Sequence, residues 1–241
     1  MWSILDAALS ILFAPECASC ALPLDRPTDG TVCQRCWRSI LPLTPPLCDR
    51  CGDPLPTWRA AGRSVERCVR CRRLPRHVDK ARAIGAYDGA LRAIVRAFKY
   101  DGRRSLAPPL AALMRARGSD VLAMADVAVP VPLHPVRRRQ RGFNQADDLA
   151  RHMELPVLRC LRRTRRTAVQ ADLPAARRHG NVRNAFAVSH SDRVLRGLAV
   201  VLIDDVSTTG ATLDACALAL KERGARTVLA LTAARVLTRP H

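Results

Sequence analysis

Lysine is nearly missing from this sequence: only Lys80, Lys99 and Lys221 stand among 40 basic residues, so the positive charge is almost entirely arginine. Abundant alanine beside arginine follows in part from GC-rich coding. That does not explain the shortage of acids, 21 against those 40, which leaves a net charge of +19. Such an imbalance favours polyanionic partners: nucleic acid, phosphorylated substrates or acidic lipid headgroups. Aromatic residues make up only 4% of the chain, which weakens a reading built on base stacking. Long apolar runs are absent too, since no segment approaches the ~18 residues of a membrane span. Met1 to Phe13 is too short to cross a bilayer, carries Asp6 and lacks the basic start of a secretory signal, so it reads as a short amphipathic helix. The expectation is a soluble cytoplasmic protein, with peripheral membrane contact left open.

Cysteine is plentiful but confined. Eight of the ten cysteines lie in the first 75 residues, with nine of the seventeen prolines and little apolar periodicity. They form four Cys-x2-Cys knuckles: Cys17 and Cys20, Cys33 and Cys36, Cys48 and Cys51, Cys68 and Cys71. A two-residue spacer lets both thiolates reach one tetrahedral ion, so eight thiolates predict two structural zinc sites. The simplest pairing is sequential, Cys17/Cys20/Cys33/Cys36 and Cys48/Cys51/Cys68/Cys71, with interleaved pairing left open. Disulfides are disfavoured without a secretion signal. A segment this poor in apolar residues draws its folding energy from the metal. Nine arginines from Arg35 to Arg73, Arg50 and Arg70 among them, offer the region a nucleic-acid contact, although scaffolding is the commoner use of such a ribbon. Cys160 and Cys216 lie outside the set and read as buried packing residues. The chain therefore divides into residues 1–75, a double zinc-ribbon region, and residues 76–241.

The second part alternates strand and helix patterns, as a parallel α/β sheet requires. Strands are expected at 81–87, 126–131, 155–161, 200–205 and 226–236, with Ala185 to Val188 leading into the fourth of these, and helices from Leu91 to the Lys99–Gly102 string, at 105–117, at 143–152 and from the Ser207–Thr212 turn to about Arg223. Arg162 to Asn184 has no periodicity and is long enough to be a lid or a disordered stretch.

Two segments carry chemistry. Val200-Val201-Leu202-Ile203 is a strand buried on both faces, and it ends at Asp204 and Asp205. Val206, Ser207, Thr208, Thr209, Gly210, Ala211 and Thr212 then supply hydroxyls, a permissive glycine and the first turn of a helix, the makings of a phosphate nest. Two carboxylates one turn away suit vicinal ribose hydroxyls or a hydrated Mg²⁺. The second segment, Val129 to Gln145, leaves a strand through Pro132, Leu133 and His134 and opens a helix. Within it Arg137, Arg138, Arg139 and Arg141 could neutralise a multivalent anion, Arg137 and Arg141 favoured. Asn144 and Gln145 are read as helix caps as readily as ligand contacts.

The ungapped string Val200 to Thr212 resembles the phosphoribosyl pyrophosphate (PRPP) signature of type I phosphoribosyltransferases. That resemblance implies that Asp204 and Asp205 hold the ribose hydroxyls and act in catalysis, and that Ser207 to Thr212 hold the 5′-phosphate. It also places a pyrophosphate loop, with Mg²⁺, at Pro132, Leu133, His134, Arg137 and Arg141, and a flexible hood at Arg162 to Asn184 that includes Arg177 and Arg178. Lys99-Tyr100-Asp101-Gly102, Arg141-Gly142-Phe143-Asn144-Gln145 and Asn181-Val182-Arg183-Asn184-Ala185-Phe186, fused to the double ribbon, resemble the ComF family of competence-associated proteins over essentially the whole chain. The resemblance implies a Mg²⁺-dependent PRPP-binding transferase of unknown acceptor, linked to single-stranded DNA handling in natural transformation and to other DNA-uptake or recombination proteins. A non-catalytic PRPP sensor or nucleic-acid adaptor on the same fold stands as the alternative.

Overall fold

The computed structural model describes residues 14–56, 67–74, 76–164, 185–189 and 194–237. Two units of the same local design open them. In the first, the chain turns at Cys17, closes an antiparallel bridge from Glu16 to Pro23, and enters a short helix, α1 (Gln34–Arg38), with Cys33 as its N-cap. In the second it turns at Cys48, bridges Leu47 to Pro54, and enters α2 (Val69–Arg73) with Cys68 as its N-cap. Their turns share hydrogen bonds too: the Ala21 and Gly52 amides donate to the Cys17 and Cys48 carbonyls.

The remainder is a four-stranded parallel sheet flanked by helices. Its strands are β1 (Lys80–Ala83), β2 (Val127–Pro130), β5 (Ala199–Ser207) and β6 (Thr227–Arg235), in the order β1, β6, β5, β2. Ala128 makes a further parallel bridge to Val157, so the segment expected at 155–161 meets the sheet there. A separate antiparallel pair, β3 (Leu161–Arg163) and β4 (Phe186–Val188), brings Thr164 and Ala185 into hydrogen-bond contact.

Alternation along β5 separates two cores, because successive strand side chains face opposite ways. Val201 and Ile203 pack with α3 (Gly89–Tyr100) and α4 (Ala107–Arg117), through Phe98, Leu110 and Met114. Val200 and Leu202 pack with α8 (Ala211–Lys221), through Leu213, Cys216 and Leu220. Covered faces on both sides explain the uninterrupted apolar run. Among the described residues there are three further short α-helices, α5 (Ser119–Leu122), α6 (Pro135–Arg141) and α7 (Gln145–Ala150).

The cysteine units join this body differently. Leu24, Val32, Cys36 and Ile40 of the first share a core with Leu91 and Val95 of α3. The second covers the outer edge of β1, where the Ala81 amide donates to the Arg50 carbonyl at 2.9 Å; an open edge strand would otherwise present unpaired groups. Gly52 sits so close there that an added Cβ would lie 2.7 Å from the Ala81 carbonyl oxygen. Among the described residues, no helix is long and apolar enough to cross a membrane.

Candidate functional site

The site grows from the carboxyl ends of β5 and β2, where ligands of open α/β sheets collect. β5 does not stop at the two aspartates, as the sequence reading has it, but continues to Ser207, because β6 pairs with it as far as Ser207 beside Arg235. As neighbours on a strand, Asp204 and Asp205 point to opposite faces. Asp205 is buried on the α3 side and meets the Lys99 ammonium at 2.8 Å. Asp204 looks toward α8, within the electrostatic reach of Arg163 and Cys216, and accepts the Asp205 amide at 2.8 Å. Burial and the Asp205 charge push the Asp204 carboxyl up to about 7, against the pull of Lys99 and Arg163. The same strand end thus holds one carboxylate neutralised by a cation and one that keeps its proton close to neutrality.

Beyond Asp205 the burial alternates. Ser207, Thr209 and Ala211 are buried, whereas Val206, Thr208, Gly210 and Thr212 are half-buried. Gly210 takes the left-handed conformation, φ 78° and ψ 5°, immediately before α8, a turn that only glycine enters without strain. Thr209 Oγ1 accepts the Ala211 amide at 3.3 Å and caps that start. The Ser207 hydroxyl is turned away, accepting from Arg235 at 3.3 Å. Thr208, Gly210 and Thr212 therefore form the accessible edge of the loop.

The stretch expected as an open pyrophosphate loop is mostly helix. Only Pro132, Leu133 and His134 are loop; Arg137 and Arg141 lie on α6. The reason is local: Pro135 occupies the first turn with φ already set, His134 Nδ1 caps by accepting the Val136 amide at 3.2 Å, and Gly142 closes the helix at φ 75°. The Val131 amide donates to the Ile203 carbonyl, so the 132–134 turn sits beside Asp204 and Asp205. Arg137 lies within electrostatic range of Arg163. Arg141 stacks 4.9 Å over the exposed Tyr100 ring, which Arg96 flanks from 5.9 Å. Asn144 is a cap, its Oδ1 accepting the Ala146 amide at 3.2 Å. Gln145 is buried and accepts from Arg141.

The cysteines group sequentially: Cys17, Cys20, Cys33 and Cys36 in one cluster and Cys48, Cys51, Cys68 and Cys71 in the other, with ligand atoms in each within 4.8 Å of one another. Backbone amides point at the first sulfur of each set, Ser19 and Cys33 at Cys17 and Cys68 at Cys48, at 3.3–3.4 Å. Such donors favour thiolate over thiol. Although burial works against it, the Cys33, Cys20 and Ser19 backbone bonds bring Cys17 down to about 6. The neighbouring thiols Cys51, Cys68 and Cys71 hold Cys48 far below the ordinary thiol range. Sulfurs so close can all ionise only around a cation, and two four-cysteine groups fit zinc-ribbon sites.

Comparison with known families finds two domains in the chain. A double zinc ribbon domain matches residues 8–72, and a phosphoribosyl transferase domain matches residues 139–240. Competence protein F of Haemophilus influenzae is 31% identical over 219 residues, which cover 87% of this chain and 92% of that protein. The chain belongs to the ComF family. DNA utilization protein YhgH of Salmonella typhi is 34% identical over 223 residues, covering 88% and 93% of the two chains. Competence protein ComFC of Bacillus subtilis is 28% identical over 197 residues, covering 81% and 80%.

Two cations of this ComF-family chain escape a reading centred on the aspartates. Lys99 sits in the quoted Lys-Tyr-Asp-Gly string, so a signal for it was present. Arg163 lies at the start of the aperiodic stretch and has none. The hood residues Arg177 and Arg178 fall outside the described residues, as do most others from Arg162 to Asn184. Arg50 and Arg70, offered above to nucleic acid, are engaged internally, by the Arg76 carbonyl at 2.8 Å and the Asp53 carboxylate at 3.1 Å. Cys160 and Cys216 are buried, and burial raises both thiols, which fits packing and not nucleophilic roles.

Proposed function

We propose that the chain binds PRPP with Mg²⁺ at the carboxyl end of β5 and transfers its phosphoribosyl group. The observation that carries this is the juxtaposition of two carboxylates on opposite faces of one strand end with a glycine-opened helix start and several cations. In this reading the 5′-phosphate rests on the Thr208, Gly210 and Thr212 edge, and the ribose hydroxyls meet Asp204 and Asp205. The pyrophosphate lies toward Pro132, Leu133 and His134, with Arg137 and Arg163 near it. Mg²⁺ would arrive with the pyrophosphate and screen its charge. The carboxylates fit hydroxyl donors, since each is acceptor-only when ionised, and Lys99 holds Asp205 in place. Breaking the C1–O bond spreads positive charge over the ribose ring and leaves negative charge on pyrophosphate. Asp204 and Asp205 then face the former, and the guanidiniums the latter.

The names of its relatives, competence and DNA utilization proteins, support placing this chemistry in the handling of single-stranded DNA, with a strongly basic surface for the strand. Calorimetric titration of the zinc-loaded protein with PRPP and Mg²⁺, beside Asp204→Asn/Asp205→Asn, tests the site. Saturable binding lost in the double variant is expected; equal binding by both would remove these carboxylates from the site. Pyrophosphate release measured with and without candidate acceptors then separates a transferase from a PRPP sensor.

A further inference from the structure

The phosphate loop is not held by its own strand and helix alone. Arg235, the last residue of β6, is 3% exposed, and its guanidinium makes two contacts that link distant parts of the chain. Nε donates to the Asp53 carboxylate, and Nη1 donates to the Ser207 hydroxyl at 3.3 Å. Asp53 lies two residues beyond Cys51, its carbonyl accepts the Cys48 amide at 2.8 Å, and its other carboxylate oxygen takes Arg70, which sits between Cys68 and Cys71. Both knuckles of the second cysteine cluster therefore fix the acid that fixes Arg235.

A second strap runs in parallel. Arg76 donates through Nη2 to the Thr209 carbonyl at 3.1 Å, while its own carbonyl accepts from Arg50, which sits between Cys48 and Cys51. The adjoining His77 and Val78 amides donate to Asp214 of α8 at 2.6 and 3.3 Å. Ser207 and Thr209 are buried against these straps, and Gly210 borders them too, since an added Cβ there would lie 3.5 Å from Arg76 Nη1, while Thr208 stays half-buried. The half-open seam between loop and straps, lined by Arg50, Cys51, Arg76, Ser207, Thr209 and Arg235, has room for about one water. Among the described residues, the first cysteine cluster shares a core with α3 and α4 and supplies none of these contacts.

We propose that the second zinc ribbon is a positioning device for the phosphate loop: Arg76 and Arg235 transmit the order of the metal-bound knuckles to Ser207 and Thr209, so emptying that site, but not the first, loosens the loop and weakens phosphate binding. The proposal rests on the PRPP reading for its ligand, though not for the mechanical link. Cys48, Cys51, Cys68 and Cys71 would hold the zinc, which when bound would lend the knuckles their order, and the arginines carry it across the seam.

The test uses the full chain, with zinc content measured on each variant, amide hydrogen exchange over residues 207–212 without ligand, and PRPP–Mg²⁺ titration. Arg76→Ala should keep its zinc, raise exchange at 208–212, and weaken PRPP binding about tenfold, the scale of one lost charged hydrogen bond. Arg76→Lys should recover part of both effects. Cys68→Ser should reproduce the faster exchange, whereas Cys20→Ser should leave it at the parent level. Because Arg235→Ala could prevent folding, Asp53→Asn is the second probe of that strap and should speed exchange with Arg235 still present. Unchanged exchange in Arg76→Ala, Asp53→Asn and Cys68→Ser would overturn the proposal, as would equal loosening by Cys20→Ser. Loosening by the predicted variants in a protein that binds no PRPP would refute the ligand reading alone and leave the mechanical link standing.

Discussion

Lys99 and Asp205 form the ion pair on which the site's charge balance turns, with only 13% and 11% of their side chains exposed. Taking two charges this far from water is costly, and removing one partner leaves the other buried and alone. Lys99→Ala should therefore destabilise the fold by about 3 kcal/mol in chemical denaturation, and Lys99→Ala/Asp205→Asn should recover part of that loss by removing the stranded charge. Equal stabilities for the single and double variants would mean that solvent reaches Asp205 freely. Asp204 behaves in the opposite sense. Its carboxyl rises from an ordinary 3.8 to about 7, through burial first and then the Asp205 charge. Between those two values the unfolded chain has lost the proton that the folded chain keeps. The stability contributed is thus fully present below the lower value and is lost as pH rises through the upper one, at up to about 1.4 kcal/mol per pH unit. Asp204→Asn cannot ionise, so denaturation at pH 5 and pH 7.5 should show it gaining on the parent at the higher pH. A constant difference would contradict the raised value.

At the scale of elements, the sheet and its main helices were legible in the sequence because apolar periodicity and burial come from the same residues. Val200 to Ile203, the Leu91, Ile94, Val95 and Phe98 stripe, and the knuckle spacing each carry their own instruction. α6 shows where that legibility stops. Its seven residues include no buried side chain, so no apolar stripe marks it, and its signals are the Pro135 start and the Gly142 stop. Read for charge, the same arginines suggested a loop. Gly142 tests the explanation: its φ of 75° suits glycine, while an added Cβ would meet nothing within 4 Å. Gly142→Ala should cost about 1 kcal/mol through backbone conformation alone, without a steric clash to confuse the thermal denaturation that measures it. No cost would mean that α6 does not depend on this cap. The Asp53–Arg235 pair was illegible for another reason, since a contact spanning 182 positions leaves no local pattern.

Over the whole molecule, the excess of arginine is only partly available to a partner. Arg70 and Arg235 converge on Asp53, Arg104 takes Asp148, Arg151 and Arg159 share Asp147, and Arg82 joins Lys80 on Asp120. Exposed arginines remain on several faces, among them Arg35, Arg38, Arg72 and Arg73 beside the cysteine clusters and Arg223 and Arg226 before β6; one group sets Arg92 and Arg96 along α3, with Tyr100 at its end, and Arg138 and Arg139 on α6. Tyr100 is 65% exposed with guanidiniums near its ring, so among the described residues this face pairs an exposed aromatic ring with a group of cations. If single-stranded DNA binds here, its affinity must fall with salt, because each neutralised phosphate releases counterions, with about 0.7 of slope per contact. Arg96→Ala/Arg138→Ala/Arg139→Ala should therefore flatten the plot of log affinity against log salt by about 2, while PRPP titration changes little because none of the three lies at the strand end. A lowered affinity with the parent's slope would place the strand on other cations. An unaltered affinity would remove this face from DNA contact and leave its arginines to keep the chain apart from its own copies.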